Sequence, residues 1–428
     1  MGRYDKSDEM LKRALKTIPL GSQTFSKSKV QFAPGSSPLF LSHGKGSRVW
    51  DVDGNEYLDF VNGLLPVLLG YCDPDVDNAV KEQLGKGVSF SLATELEIEL
   101  AETLVDIIPC AEMVRFGKNG SDVTAGAIRL ARHVTGKEHV AVCGYHGWQD
   151  WYIGSTSMNG GVPKGVRSLT HTFTYNNIES LEKLFSENSH GYAAVIMEPM
   201  NVEEPKDGFL QKVKDLAHRN GALFILDEII TGFRFHLGGA QTLYGVTPDL
   251  ATFGKSMANG FPVSAVVGRA EYMKEMANIF FSFTFGGEAL SIAAALAVIK
   301  KMKREPVIET LHKRGSEIFD GVSRLIGENG LEKVISIKGK PCWSLLQFSD
   351  TEVCDSWTVK SLFLQEMFEK GILTIGSNNM SYAHSSEDVA KALDAYVSAM
   401  KKISDGLKTG KIAKMLKAEP IRPLFKVR

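Results

Sequence analysis

The sequence predicts an α/β fold with a mostly parallel central sheet and a second, smaller domain. Between about residues 112 and 270, short apolar runs that suit buried strands alternate with stretches of helical periodicity. Further along, strand-like pieces precede an amphipathic helix, as in a small α+β domain. We therefore expect an N-terminal segment with a β-ribbon (1–60) that joins the small domain, a large α/β domain (61–309) and a C-terminal small α+β domain (310–428).

The ribbon and the first core helix have clear local signals. Residues 48–60, RVWDVDGNEYLDF, predict two strands around an Asp53-Gly54 turn. Residues 94–108 open with a capping box from Thr94 to Glu97. The apolar residues of this helix fall on one face: Leu96, Leu100, Leu104 and Ile107.

The alternating region supplies the strands and helices of the large domain. The predicted buried strands are HVAVCGY, AAVIMEP, ALFILDE and LATFG. The predicted helices between them include SDVTAGAIRLARHVTG and FLQKVKDLAHRNG. In the small domain, WSLLQF and ILTIG resemble strands. The final helix there, SSEDVAKALDAYVSAMKKI, has an apolar face of Val389, Leu393, Tyr396, Val397 and Met400.

The composition of the chain indicates which kinds of molecule it is expected to bind. Hydrophobic residues make up 43% and charged residues 23% of the 428 positions, as in folded globular proteins. The formal net charge of -1 gives no basic field for nucleic acid or an anionic membrane. Five scattered cysteines without a CxxC pair suggest neither a disulfide framework nor a metal site. We expect a cytoplasmic protein without a membrane span that acts on small molecules.

Polar residues at the ends of apolar runs are the candidates for chemistry, because ligands of parallel α/β sheets bind at the carboxyl ends of the strands. Four such places occur in the sequence: NGSD (119–122), GYHGW (144–148), LDE (226–228) and FGK (253–255). At the first, a Gly-Ser turn opens a helix and offers free N–H groups to a phosphate. The alternative is that Ser121 serves only as an N-cap.

The next two places also allow two interpretations. Asp227 ends an apolar run, and a buried carboxylate there needs a partner such as a protonated ring nitrogen. The alternative is a structural ion pair or helix cap. Tyr145, followed by His146, ends another run, and its ring could lie flat on a ligand ring or simply pack in the core.

Lys255 connects these candidates. A lone lysine is usually solvated at the surface, but a lysine at the end of a buried strand is partly desolvated and becomes a nucleophilic amine that can form a Schiff base. A phosphate-binding turn, an aromatic ring, a carboxylate for a ring nitrogen and such a lysine together predict pyridoxal 5'-phosphate as cofactor.

Several segments then resemble, in order, the motif series of class III pyridoxal-phosphate aminotransferases, and within them the glutamate-1-semialdehyde 2,1-aminomutase-like proteins. The segments are VWDVDGNEYLDF, NGSDVTAGAIRLAR, YHG, LDEIITGFR, PDLATFGKSMANGFPVSAVVG and FTFGGEAL. The resemblance spans about residues 19–400. It implies a fold-type I homodimer with active sites at the subunit interface.

The resemblance also implies roles for individual residues. Lys255 would form the internal aldimine and move protons, and Asp227 would pair with the pyridine nitrogen. Gly120 and Ser121 would take the phosphate. The remaining implied cofactor contacts are Tyr145 over the ring, Ile230 beneath it, Glu198 near the cofactor and Thr284 reaching the phosphate of the neighbouring subunit.

The chain departs from this pattern where the aminomutases bind their substrate. The segment LGSQTFSK has Thr24 where the family has serine and Lys27 where it has arginine, and lysine offers no bidentate fork to a carboxylate. Leu64 stands where a tryptophan is expected, and Gly376 where a glutamate is. Arg422 is an alternative carboxylate ligand, or a solvated charge. We expect Thr24, Lys27 and Leu64 to contact substrate.

These departures favour an aminotransferase that moves an amino group from an amino donor, through pyridoxamine phosphate, to a small or sugar-like carbonyl acceptor. Intramolecular transfer by a glutamate-1-semialdehyde 2,1-aminomutase is the main alternative. A Schiff-base lyase or racemase and a non-catalytic cofactor-binding regulator also stay open.

Overall fold

The computed structural model describes residues 2–422. The strands among these residues are β1 (Leu41–Lys45), β2 (Arg48–Asp51), β3 (Glu56–Asp59), β4 (Met113–Gly117), β5 (His139–Cys143), β6 (Thr170–Thr172), β7 (Tyr192–Met197), β8 (Leu223–Asp227), β9 (Leu250–Phe253), β10 (Ser264–Gly268), β11 (Ile335–Lys340), β12 (Trp343–Phe348), β13 (Ile372–Leu373) and β14 (Ser377–Asn379).

The α-helices are α1 (Asp5–Ala14), α2 (Pro74–Leu84), α3 (Glu95–Ile107), α4 (Gly120–Thr135), α5 (Asp150–Ile153), α6 (Lys164–Arg167), α7 (Ile178–Glu187), α8 (Phe209–Arg219), α9 (Ala240–Tyr244), α10 (Ala270–Met273), α11 (Ala289–Arg304), α12 (Val307–Glu328), α13 (Ser356–Glu369) and α14 (Ser386–Lys408). Short 3-10 turns occur as well, including one at Lys255–Ala258 that follows β9.

The chain divides into two compact units. Of the described residues, the first takes 2–64, the short segment Leu69–Asp73 and 309–422. The second takes Leu65–Leu68 and Pro74–Ile308. The second unit, called the large unit below, holds the residues of the candidate active site.

A seven-stranded sheet with the order β4-β10-β9-β8-β7-β5-β6 forms the centre of the large unit. The neighbours from β9 to β6 are parallel, and β10 is antiparallel to both β9 and β4. The strands are buried on both faces: Val140, Ile196 and Ile225 belong to the cluster that includes residues of α4. Ala141, Val195 and Phe224 belong to the cluster that includes residues of α8. This two-sided burial explains the continuous apolar runs of the sequence.

The first unit, called the small unit below, contains two smaller sheets. One has the order β1-β2-β3-β13 and the other β11-β12-β14. The predicted hairpin is confirmed, because β2 pairs antiparallel with β3 around a turn in which Gly54 has a φ of +91°. The α/β class of the fold is confirmed as well.

The predicted apolar faces of α3 and α14 can be compared with the burial of their residues. In α3, the Glu97 carboxylate accepts the Thr94 N–H at 2.9 Å, as the capping box requires, and Leu100 and Leu104 are fully buried. In α14, Tyr396 and Met400 are fully buried. The prediction for Val397 is wrong: this residue is 47% exposed, because the buried stripe of α14 is rotated toward Ala392, Ala395 and Ala399.

None of the helices between residues 2 and 422 is both long and apolar enough to cross a membrane.

Candidate active site

The predicted functional residues of the large unit follow strands whose carboxyl ends share one edge of the sheet. Tyr145 follows β5, Glu198 follows β7, Asp227 ends β8 and Lys255 follows β9. Four parallel neighbours therefore deliver a phenol, two carboxylates and an amine to the same edge. Because β10 is antiparallel to both β9 and β4, the segment after β4 reaches this edge too.

A cavity of about 290 Å³ opens at this edge. Its lining residues are Pro66, Lys118, Asn119, Gly120, Ser121, Thr124, Tyr145, His146, Gly147, Glu198, Asp227, Ile229, Ile230, Lys255, Gly260, Phe261, Pro262 and Val263. The structure thus brings together seven of the predicted cofactor-site residues in one cavity.

Lys255 is half-buried, and its side chain lines the cavity. Burial lowers the pKa of its amine, and the carboxylates of Glu198 and Asp227 offset only part of this effect. Its backbone is unusual, since φ is +40° in a residue other than glycine. Strain of this kind is concentrated at functional sites, where the surrounding structure holds a side chain in one place.

Asp227 is 4% exposed and is held by three donors. Its Oδ2 lies 2.7 Å from His146 Nδ1, while its Oδ1 accepts the Ile229 N–H at 3.1 Å and the Thr252 hydroxyl at 3.2 Å. A carboxylate has about four acceptor positions, so Oδ2 keeps room for one more donor from the cavity. A structural partner of the kind the alternative predicted is therefore present as well, but the contact with His146 does not remove Asp227 from the cavity.

Glu198 lies beside Tyr145. Its Oε2 accepts the Tyr145 N–H at 3.1 Å, and the Asn201 amide lies 3.4 Å away. Burial, reinforced by the negative charge of Asp227, raises the pKa of Glu198 to about 7. Gly144 makes this approach feasible, because a Cβ at that position, where φ is +109°, would overlap the Glu198 carboxylate. The Tyr145 side chain is 46% exposed, so core packing is not its environment.

The N-terminus of α4 forms another part of the cavity wall. The helix begins at Gly120, its N-cap is Asn119, and Ser121 is already its second residue. The alternative in which Ser121 is only an N-cap is therefore wrong. The first N–H groups of a helix have no partners within it, and the helix dipole adds positive potential there, so the turn is suited to an anion.

Other predicted residues lie elsewhere. Thr284 is exposed in the segment before α11 and is not among the lining residues of the cavity. Thr24, Lys27 and Leu64 belong to the small unit: Thr24 is half-buried, Lys27 is exposed, and half-buried Leu64 has a φ of +77°. Their contact with substrate stays a prediction. Arg422 pairs with Asp355 at 2.9 Å at the surface, so its charge is balanced there.

Three residues of this region were not predicted to belong to the site. His146 came to attention only as the neighbour of Tyr145, although its ring is buried and pairs with Asp227. Thr252 reaches Asp227 because the two are register partners in the β8–β9 ladder, which requires knowledge of the register. Lys118 could have been found from the sequence, since it precedes the Asn-Gly-Ser turn directly after a strand.

Comparison with known proteins gives the same class of protein as the geometry. Residues 31–403 match the family described as Aminotransferase class-III. The chain is 36% identical over 400 residues to the 3-aminobutyryl-CoA aminotransferase of Cloacimonas acidaminovorans (strain Evry), covering 91% of this chain and 95% of that protein. It is 37% identical over 390 residues to the glutamate-1-semialdehyde 2,1-aminomutase of Persephonella marina, covering 84% and 90% of the two chains.

Among solved structures, the fold is similar to the pyridoxal-phosphate internal aldimine form of the FumI protein of Sphingopyxis sp. MTA144. That similarity has a TM-score of 0.87 at 26% identity and covers 97% of this chain and 98% of that one. An omega-transaminase from Sphaerobacter thermophilus gives a TM-score of 0.84 at 27% identity, with 94% and 98% covered.

The fold and the cavity define an α/β enzyme with a half-buried lysine at the carboxyl edge of its sheet. The chain belongs to the class III aminotransferase family. The resemblance found in the sequence is thereby confirmed, together with fold-type I and the assignment to an enzyme class that depends on pyridoxal phosphate.

Proposed function

We propose that this chain moves an amino group from an amino donor to a small or sugar-like carbonyl acceptor, with pyridoxal 5'-phosphate held in the cavity of the large unit. One observation carries the proposal. The amine of Lys255, with a lowered pKa, lines the same cavity as the Asp227 carboxylate and the N-terminus of α4.

The residues of the cavity fit this cofactor. Gly120 and Ser121 at the start of α4 suit its phosphate group. Gly147 keeps the space beside Ser121 open, because a Cβ there would lie 2.5 Å from the Ser121 hydroxyl. Tyr145 and Ile230 supply an aromatic and an aliphatic side chain to the same cavity. Asp227 has acceptor capacity left for a protonated ring nitrogen.

Bound pyridoxal phosphate supplies an aldehyde and an electron-withdrawing ring. Lys255 contributes an amine whose lowered pKa enlarges the neutral fraction, which is the form that attacks a carbonyl carbon and accepts a proton. The Asp227 carboxylate would pair with the protonated ring nitrogen of the bound cofactor. Glu198, with a pKa of about 7, can hold or release a proton at neutral pH beside Tyr145.

Intramolecular transfer is the second candidate, and the 37% identity to the Persephonella marina aminomutase favours it. The departures at Lys27, Leu64 and Gly376 speak against it. The 36% identity to a 3-aminobutyryl-CoA aminotransferase supports transfer between two different compounds. Glutamate 1-semialdehyde and 3-aminobutyryl-CoA therefore both belong in any panel of substrates.

The deciding experiment follows the near-visible absorbance of the purified protein loaded with pyridoxal phosphate while amino donors are added one at a time. We expect one donor to remove the near-visible absorbance band of the bound pyridoxal phosphate and to be converted to its carbonyl product. A carbonyl acceptor should then restore that band. Conversion of glutamate 1-semialdehyde to 5-aminolevulinate without any acceptor would establish the aminomutase instead.

Lys255→Ala should lose the band and amino transfer, while Lys183→Ala, a matched change at a lysine whose side chain is 71% exposed, should lose neither. Turnover by Lys255→Ala at the wild-type rate would contradict the role of Lys255 and with it the proposed function.

We propose further that two copies of the chain form a homodimer with shared active sites. Strongly exposed apolar side chains support this proposal: Leu92 is 85%, Phe280 82% and Phe285 56% exposed. Phe280 and Phe285 flank the segment that carries Thr284.

We also propose that the protein works in a reducing compartment, the cytoplasm, since all five cysteines are free.

A mixed dimer tests the shared site. Lys255→Ala and Thr284→Asp subunits with different affinity tags are coexpressed, and dimers carrying both tags are isolated. Each homodimer should be inactive, but the mixed dimer should hold one site with an intact Lys255 and an intact Thr284. We expect about half of the wild-type activity. A mixed dimer as inactive as its parents would place Thr284 in the site of its own chain, and an active Thr284→Asp homodimer would place Thr284 outside the site.

A further inference from the structure

A lysine outside the predicted cofactor set also lines the cavity. Lys118 directly follows β4, and its ammonium lies 2.8 Å from Glu288 Oε2. The two side chains are only 15% and 13% exposed. Glu288 is fixed in turn, because it caps α11 by accepting the N–H groups of Leu290 at 2.8 Å and Ser291 at 3.2 Å. Lys118 is therefore a cavity-lining residue whose ammonium is held by an anchored carboxylate.

The start of α4 beside Lys118 carries a negative charge of its own. Asp122 Oδ2 accepts the N–H of Asn119 at 2.7 Å and the N–H of Lys118 at 3.1 Å. These two backbone donors are thus occupied by a carboxylate. The donors left at the turn are those of Gly120 and Ser121, which lie two and three residues after Lys118.

Charges around the turn decide what it can bind. Lys118 contributes one positive charge, against the two negative charges of Asp122 and Glu288. Without the lysine, a phosphate dianion at the turn would face two carboxylates, and repulsion in a partly buried site is strong. With the lysine, part of this repulsion would be offset, because an ammonium can donate charge-assisted hydrogen bonds to Glu288 and to a phosphate.

We propose that Lys118, held by Glu288, makes this cavity selective for the phosphorylated form of the cofactor over the same compound without phosphate. This proposal rests on the proposed function, since it assumes that pyridoxal phosphate occupies the cavity. Lys118 acts on the affinity for the phosphate group and takes no part in the chemistry at Lys255.

The test measures dissociation constants of the cofactor-free protein for pyridoxal phosphate and for pyridoxal, by absorbance titration. Lys118→Met should weaken the binding of pyridoxal phosphate about tenfold or more and leave that of pyridoxal unchanged. Lys118→Arg keeps the charge and should keep most of the selectivity. Lys183→Met, at an exposed lysine, is the control and should change neither constant.

Glu288→Gln separates this role from a merely structural ion pair. Removal of the counter-charge leaves the Lys118 ammonium free for the phosphate, so the selectivity should rise or stay at the wild-type level, even if weaker capping of α11 lowers the melting temperature. If the ion pair were only structural, Glu288→Gln and Lys118→Met would each weaken the binding of pyridoxal phosphate and of pyridoxal to the same extent. If Lys118→Met does not fold, Lys118→Gln, which keeps a polar partner for Glu288, carries the test, and wild-type selectivity in that variant overturns the proposal.

Failure of this proposal and failure of the proposed function give different results. If the wild type binds pyridoxal phosphate and Lys118→Met keeps the wild-type selectivity, Lys118 has no such role, while the proposed function stands. If the wild type does not bind pyridoxal phosphate, both proposals fall.

Discussion

A buried aspartate paired with a histidine occurs at both ends of the strand pair β8–β9. At the carboxyl end, Asp227 lies 2.7 Å from His146, and at the amino end, Asp249 lies 2.8 Å from His218. Both carboxylates are almost fully buried, at 4% and 2% exposure. The Asp249 carboxylate also accepts the Phe224 N–H at 2.8 Å. By composition and distance, the two pairs are nearly the same.

Their surroundings differ. His218 is partly exposed and Arg269 lies 3.8 Å from Asp249, so the amino-end pair connects a helix to the sheet at the surface. His146 is buried, and Asp227 shares a cavity with Lys255 and Glu198. A buried Asp–His pair is therefore no sign of a site by itself. The convergence of strand ends on a cavity distinguishes one pair from the other.

The largest expected effect comes from neutralising each aspartate in turn. Asp227→Asn preserves the shape of the side chain and removes the charge that we propose pairs with the ring nitrogen of the cofactor, so we expect amino transfer to fall roughly 10²–10⁴-fold with little loss of fold. Asp249→Asn should lower stability by about 1–3 kcal/mol and leave kcat of the folded protein unchanged. Steady-state kinetics and thermal unfolding of both variants check this. Equal losses of activity in Asp227→Asn and Asp249→Asn would contradict the assignment of a catalytic role to the carboxyl-end pair alone.

A pH effect on stability is expected at the carboxyl end, where Glu198 lies. The pKa of Glu198 is raised from 4.5 to about 7, so the folded protein binds this proton more tightly than the unfolded chain. Stability contributed by the protonated group is then lost as the pH rises from about 4.5 to 7. Glu198→Gln should remove this pH-dependent loss of stability, because a glutamine side chain does not ionise. Without cofactor, its melting temperature should exceed that of the wild type by a margin that grows between pH 5 and pH 8, whereas a constant margin would refute the assignment.

The smallest expected effect concerns one donor to Asp227. Thr252→Val deletes the hydroxyl that lies 3.2 Å from Asp227 Oδ1 and leaves the contacts with His146 and Ile229. We expect kcat/KM to fall about two- to tenfold, in line with the loss of one hydrogen bond. A loss as large as that of Asp227→Asn would mean that the hydroxyl, rather than the charge, governs the site.

Much of this site could be predicted from the sequence, because buried parallel strands read as apolar runs and their polar ends share one edge. Lys255, Asp227, Tyr145 and Glu198 were found in this way or through the family motifs, and all four line the cavity. The α/β class and the β2–β3 hairpin followed from local patterns as well.

What the sequence could not supply depends on spatial partners. His146 Nδ1 meets Asp227 across 81 positions of the chain, and Thr252 meets it only through the register of β8 and β9. Val397 obeyed the helical pattern and is nevertheless exposed, because apolar periodicity did not show that small residues such as Ala392 and Ala395 would form the centre of the buried face. The contacts of Lys27 and Leu64 with substrate are still predictions.

The backbone at Lys255 has an evolutionary consequence. With φ at +40°, this position would be most comfortable for glycine, so the lysine is kept there against the conformational preference of its own backbone. Selection for stability of the fold alone would favour replacement of Lys255 by a residue that tolerates this backbone conformation. Descendants released from selection for activity should therefore lose this residue readily and keep the fold, and a lysine retained here marks a lineage that still uses it.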